Sequence, residues 1–302
     1  MRMTESYYKH GLVSKEEWEK AIREIKRQTV QGVVQNHGQL KEQVKRALIS
    51  AIELRTKGLD HFCIFFSGGI DSTIIAIICK QLKKNFTCIA VGFQDTAFKE
   101  PEDLIWAKKI ATELGLALKM KIYPLQETEA VFKEVVHALG DYANVVNVGV
   151  GSVVVAAAKL ANDQDFFSGL GSEEIFAGYD RHKKNPSNEE CWNGLLQMHE
   201  RDLIRDTLLA NHLNIRIHTP FLDDGLIKEA MSVPIAMKLH EDHVKYILRE
   251  IAIDLGLKEA FAMRKKRAAQ YGSSFDRAMQ KLAKKNNFVY KQDYLTALKS
   301  QP

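Results

Sequence analysis

The sequence predicts an α/β protein: a mostly parallel sheet with flanking helices, followed by a mainly helical C-terminal portion. Three observations carry this expectation. Short apolar runs alternate with amphipathic stretches over residues 59–182. Two of those runs end in glycine turns, Ser67-Gly68-Gly69 and Ser168-Gly169-Leu170-Gly171. From about Lys183 onward strand signals fade, and helical patterns dominate, broken by Thr219-Pro220 and Val233-Pro234.

Each element follows from local chemistry. Residues 1–58 form an N-terminal helical segment, with Ser14 and Glu17 spaced as a capping box. Leu40, Val44, Ala47, Leu48, Ala51 and Leu54 make one apolar stripe there. Residues 59–182 form the α/β core. His61-Phe62-Cys63-Ile64-Phe65-Phe66 is a strand, and Ile74 to Leu82 an apolar helix. Phe86 to Phe93 is a second strand, Asp103 to Leu114 a helix, and Leu118 to Tyr123 an alternating strand. Asp165-Phe166-Phe167 leads into the second glycine turn. Residues 183–302 form the helical portion that closes over the sheet.

Composition narrows the class. The chain has 302 residues, 45% hydrophobic, with 43 Lys+Arg against 38 Asp+Glu, a net charge of +5. That balance excludes a disordered chain and does not mark a nucleic-acid binder. Cys63, Cys79, Cys88 and Cys191 lie far apart without a C-x-x-C pair, so they read as buried small hydrophobes in a reducing compartment. No apolar leader follows Met1, and no window reaches the ~18 apolar residues of a membrane span. The expected location is cytoplasmic.

The chemistry concentrates at Ser67-Gly68-Gly69-Ile70-Asp71-Ser72-Thr73. Paired glycines let backbone approach a ligand, and the helix start behind them offers free N–H groups. Ser67, Ser72 and Thr73 add hydroxyls, completing an anion cradle. Asp71 would repel phosphate directly and makes sense if Mg²⁺ bridges it to the phosphates. The lysine of a P-loop is missing.

Ser-Gly-Gly-x-Asp-Ser resembles the pyrophosphate-binding loop of ATP pyrophosphatases, the PP-loop families, whose fold is adenine nucleotide alpha hydrolase-like. Ser168-Gly169-Leu170-Gly171-Ser172-Glu173-Glu174 and Arg216-Ile217-His218-Thr219-Pro220-Phe221-Leu222-Asp223 resemble segments of the asparagine synthetase domain. Asp202 and Arg205 stand where that family carries an Asp-x-x-Arg pair. Lys266, within Arg264-Lys265-Lys266-Arg267-Ala268-Ala269-Gln270-Tyr271-Gly272-Ser273, matches its pyrophosphate lysine best. The string Lys266-Arg267-Ala268-Ala269-Gln270-Tyr271-Gly272-Ser273, with Tyr179-Asp180-Arg181-His182, looks most like eukaryotic asparagine synthetase domain-containing proteins.

The resemblance implies an ATP-dependent amide-forming ligase that adenylates aspartate or a related carboxylate. Ser67, Gly68, Gly69, Asp71, Ser72, Thr73, Val91, Ser168, Gly169 and Lys266 would bind ATP. Asp71 and Glu173 would ligate Mg²⁺. Asp202 and Arg205 would face the acid, and these two with Lys266 form the expected catalytic set. Too few residues precede the PP-loop strand for a glutaminase, so free ammonia or a separate amidotransferase is expected. The resemblance leaves a homo-oligomer open as a partner.

Departures fall on the acceptor side. Leu170 replaces a family glutamate thought to act as base toward the amine, and leucine takes no proton. His218 replaces the signature arginine, and Arg216 stands where glutamate is usual. Two other readings share the motifs: a tRNA-modifying PP-loop enzyme with Lys183, Lys184, Arg264 to Arg267, Lys284 and Lys285 on phosphates, and a non-catalytic nucleotide-binding regulator or synthetase subunit.

Overall fold

The computed structural model describes residues 11–29, 36–95, 100–264 and 268–300. Strands β1 (Phe62–Phe65), β2 (Phe86–Phe93), β3 (Leu118–Tyr123), β4 (Asp165–Phe167) and β5 (Arg216–His218) form one sheet. The order is β3-β2-β1-β4-β5, and every pairing is parallel. The α/β expectation therefore holds, with β5 added from the helical portion. Three residues are too few to show alternation, so nothing in the sequence marked β5.

Alternate side chains feed two cores. Phe62, Ile64, Cys88, Ala90 and Phe167 face one, with Ile74, Leu104 and Ala107. Cys63, Ile89, Val91, Phe93 and Phe166 face the other, with Val131, Val155 and Phe275. Burial on both faces explains the nearly continuous apolar runs. The edge strand β3 is the exception: Met120 and Ile122 are exposed, and Lys119 and Lys121 alternate with them.

Helix Lys15–Gln28 begins with the capping box at Ser14 and buries Trp18, whose indole donates to Leu195 O at 2.8 Å. Helix His37–Thr56 buries Leu40, Val44, Leu48 and Ala51, but Leu54 is exposed and Ile52 takes the inward place. At 3.6 residues per turn, Leu54 falls about 240° around the helix from Leu48. The helix after the first glycine turn starts at Ile70, ahead of Ile74, because Gly69 is its N-cap. Ser72 and Thr73 thus lie within its first turn. No helix of the described residues is long and apolar enough to cross a membrane.

In the helical portion, Lys238 is a buried charge held by no carboxylate among the described residues. Lys238 is 0% exposed, and its ammonium donates to Asn188 Oδ1 at 2.9 Å. Burial pushes its pKa down to about 8 from 10.5. Between those values the unfolded chain holds more protons, so stability rises with pH across that window and is lost as pH falls through about 8. Lys238→Met is expected to stabilise the fold by about 1–3 kcal/mol at pH 7 and to flatten this rise. Urea denaturation at pH 7 and pH 10 checks it; a variant less stable than wild type at pH 7 refutes it.

Candidate active site

The chain runs from β1 outward to β2 and β3, then returns to β4 on the other side of β1. That reversal opens a crevice at the carboxyl ends of β1 and β4, where open α/β sheets bind ligands. Both glycine turns leave the sheet there.

The first turn is forced by close packing. Gly68 has φ +63°, and a Cβ on it would lie 2.8 Å from the backbone of Trp106 and Ala107. Gly69 offers the helix no side-chain cap. Ser67 Oγ accepts from Gly69 N at 3.3 Å, and Ser72 Oγ donates to Gly69 O at 3.2 Å. The Thr73 hydroxyl is buried without a hydrogen-bond partner among the described residues. Helix N–H groups and a buried hydroxyl form an anion cradle.

The second turn presses against the first. A Cβ on Gly169 would lie 2.7 Å from Asp71 Cβ. The contact brings Asp71 and Glu173 together, and one ammonium lies between them. Lys245 Nζ is 2.8 and 2.9 Å from the Asp71 oxygens, 2.7 Å from Glu173 Oε1 and 3.0 Å from Ser172 Oγ. Burial opposes the charge on Lys245, but Asp71 and Glu173 outweigh it and its pKa is raised. Lys245 adopts left-handed backbone, φ 56°, at the start of helix Tyr246–Asp254, a strained conformation for a residue with a Cβ. Gly178 makes room: a Cβ there would lie 1.8 Å from Glu173 Oε2 and 2.3 Å from Lys245 Cε.

A second charged cluster lies beside it. Residues His199–Leu203 form a turn of π-helix, a feature frequent at functional sites. Arg201 pairs with Asp202 at 2.6 Å and with Glu174. Arg205 reaches Asp202 at 3.3 Å and Asp206 at 2.7 Å. Glu174 is 1% exposed. Burial, reinforced by Asp202 and opposed by Arg201, raises its pKa to about 7. The sequence-expected pair Asp202 and Arg205 is thus joined, with Arg205 turned equally toward Asp206.

The third motif supports the turns from below. Phe221 is fully buried, and Leu222 Cδ2 lies 2.6 Å from where a Cβ on Gly171 would stand. Asp223 caps helix Asp224–Ser232 and accepts from Arg55 at 3.1 Å. Arg216 and His218 both bind Asp165. Burial would raise the Asp165 pKa, but those two partners hold it far below the carboxylate range. The two unusual residues of the motif thus satisfy one another's neighbour on β4.

Of the other expected site residues, Val91 is buried in the second core, and Ser168 Oγ accepts from Leu170 N at 3.2 Å. Leu170 packs on the first core. Lys266 lies outside the described residues. Flanking it, Arg264 donates to Gly68 O at 3.0 Å, and Ser273 O accepts from Phe93 N at 2.8 Å. Sequence reasoning missed Lys245, Glu174 and Arg201. Only the fold shows that Lys245 reaches Asp71.

A parallel sheet whose switch point holds a glycine–hydroxyl cradle and two converging carboxylates agrees with the PP-loop fold class. The chain belongs to the asparagine synthase family, whose profile matches residues 43–195 and 183–287. A Methanocaldococcus jannaschii protein, named provisionally as a glutamine-hydrolysing asparagine synthetase, is 31% identical over 87% of this chain and 56% of its own. Glutamine-hydrolysing asparagine synthetases of Gallus gallus and Bos taurus are 26% and 30% identical, over 74% and 65% of this chain and 43% and 38% of theirs. The chain therefore spans about half or less of the length of these relatives.

Proposed function

We propose that this chain is an ATP-dependent, AMP-forming amide ligase of the asparagine synthetase type. The observation that carries the reading is the meeting of Asp71 from the first turn with Glu173 from the second around one buried cation. Two carboxylates that hold the Lys245 ammonium are suited to hold Mg²⁺ as well. Mg²⁺ held by Asp71 and Glu173 would supply charge neutralisation for the phosphates of ATP.

The chain's own groups do the rest. Backbone N–H groups of Gly68, Gly69 and the helix start, with the hydroxyls of Ser67, Ser72 and Thr73, orient the β,γ-phosphates. Ser168, Gly169 and Val91 line the adenosine side. Lys245, and Lys266 by its place in the motif, take up negative charge as pyrophosphate leaves. The carboxylate of aspartate or a relative attacks the α-phosphorus and displaces pyrophosphate. An amine then attacks the acyl carbon and releases AMP. Asp202 and Arg205, with Arg201, face the acid. The amine is free ammonia or is supplied by a separate amidotransferase.

Leu170 cannot take the proton of the incoming amine. Glu174, with a pKa near 7, is a carboxylate on the acceptor side able to exchange a proton at neutral pH.

The test is ATP–pyrophosphate exchange with Mg²⁺ across a panel of amino acids. Exchange is expected with aspartate or a close relative and is expected to fall at least ~100-fold in Asp71→Asn. ATP binding without exchange for any carboxylate overturns the proposal.

A further inference from the structure

We propose a second metal site, for Zn²⁺, at the amino edge of the sheet, made by His61, Cys63 and Asp163. It lies at the opposite end of β1 from the glycine turn and shares no residue with the candidate active site.

The topology assembles it. His61 and Cys63 are two apart at the start of β1, so they point to the same face. β4 pairs beside β1, with Cys63 opposite Phe166, and this places the preceding turn over the same edge. That turn carries Asp163. One donor atom from each residue lies within 4.8 Å of the other two. His61 Nδ1 is 2.5 Å from Asp163 Oδ1, and Cys63 Sγ is 3.2 Å from Asp163 Oδ2.

Three Lewis bases of different kinds converge here. A thiolate, an imidazole and a carboxylate together select Zn²⁺ over Mg²⁺ or Ca²⁺, which prefer oxygen alone. The other imidazole nitrogen, Nε2, lies 3.1 Å from Thr87 Oγ1. Such a partner fixes the ring's orientation and leaves Nδ1 for the metal. Cys63 is fully buried, whereas the side chains of His61 and Asp163 are 32% and 23% exposed. A fourth, solvent ligand can therefore enter from the ring side.

The present contacts are those of the proton-bearing form. Ligands about 2.0–2.3 Å from one tetrahedral ion stand over 3 Å apart, so the partly exposed ring must withdraw by roughly 1 Å. Binding sends the thiol proton to solvent, and the proton between His61 and Asp163 moves to Nε2, where it is donated to Thr87 Oγ1; Zn²⁺ takes the freed lone pairs of sulfur and Nδ1. The bound ion would tie β1 to the turn before β4.

Metal-stripped full chain titrated with Co²⁺ provides the test. The expected result is one equivalent bound, with a near-ultraviolet thiolate-to-cobalt band and visible tetrahedral bands, both abolished by equimolar Zn²⁺. Cys63→Ser should lose the thiolate band, and Cys191→Ser should keep it. Thr87→Val should weaken binding at least about tenfold. His61→Ala, which alters a partly exposed ring, should weaken it at least as much and covers the case that Cys63→Ser does not fold. Absence of a thiolate band in the folded wild type overturns the site. So does a band unchanged in His61→Ala.

Discussion

Lys245→Met is expected to abolish ATP–pyrophosphate exchange and to cost about 3–5 kcal/mol of folding stability at pH 7. The magnitude follows from what the ammonium leaves behind. Asp71 is 7% exposed, and the Lys245 ammonium lies 2.8 Å from its carboxylate. Removing the ammonium takes a positive charge from between the buried Asp71 and Glu173, so burial and like-charge repulsion act together. Because the folded state raises the Lys245 pKa, the contribution is present below 10.5 and is lost as pH rises past the folded value. Urea denaturation with and without Mg²⁺ checks the prediction. The variant should regain part of its stability with Mg²⁺, and wild type should change less. A variant as stable as wild type without Mg²⁺ would show that the carboxylates do not depend on this cation.

Arg205→Met is expected to cost a similar ~3–5 kcal/mol, through a different cluster. Arg205 is 4% exposed and lies between Asp202 and Asp206, themselves 8% and 7% exposed. Burial raises the Asp206 pKa against the pull of Arg205, so the guanidinium only partly offsets the cost of that carboxylate. Arg205→Lys should recover little, because a point charge cannot span both acids as a planar fork does. Arg205→Met combined with Asp206→Asn should recover part of the loss. Additive destabilisation in that double variant would refute the coupling.

The two clusters differ in how far the sequence disclosed them. Ser67 to Thr73 was readable because glycines, hydroxyls and an acid fall within one short turn. Glu173 was readable from its place after a second glycine turn. Lys245 was not, because its role depends on a loop from the helical portion reaching back to β1, and contacts between distant segments leave no periodic trace. Asp202 and Arg205 were readable as a helical pair, but Asp206 was not, since adjacent residues on a helix are not expected to share a partner. Arg205 and Asp206 are neighbours in helix Ile204–Leu213, and the long guanidinium bends back so that its Nε donates to Asp206 Oδ1 at 2.7 Å. The apolar runs likewise disclosed β1 and β2, while β5 is held by its register against β4 rather than by its composition. The cysteines read as simple hydrophobes for the same reason: Asp163, the partner of Cys63, stands a hundred residues away.

The placement of Lys245 also sets an order of events on the ribosome. Asp71 and Glu173 leave the exit tunnel well before the residue that neutralises them. At 5–20 residues per second, the roughly 70 residues between Glu173 and Lys245 take about 4 to 14 s to synthesise. For that interval the nascent sheet has its glycine turns but no ammonium to join their acids. The full set of contacts between the two turns is complete only once the residue before helix Tyr246–Asp254 is in place. A chain stalled before Lys245 would carry Asp71 and Glu173 at the switch point without the ammonium that lies between them.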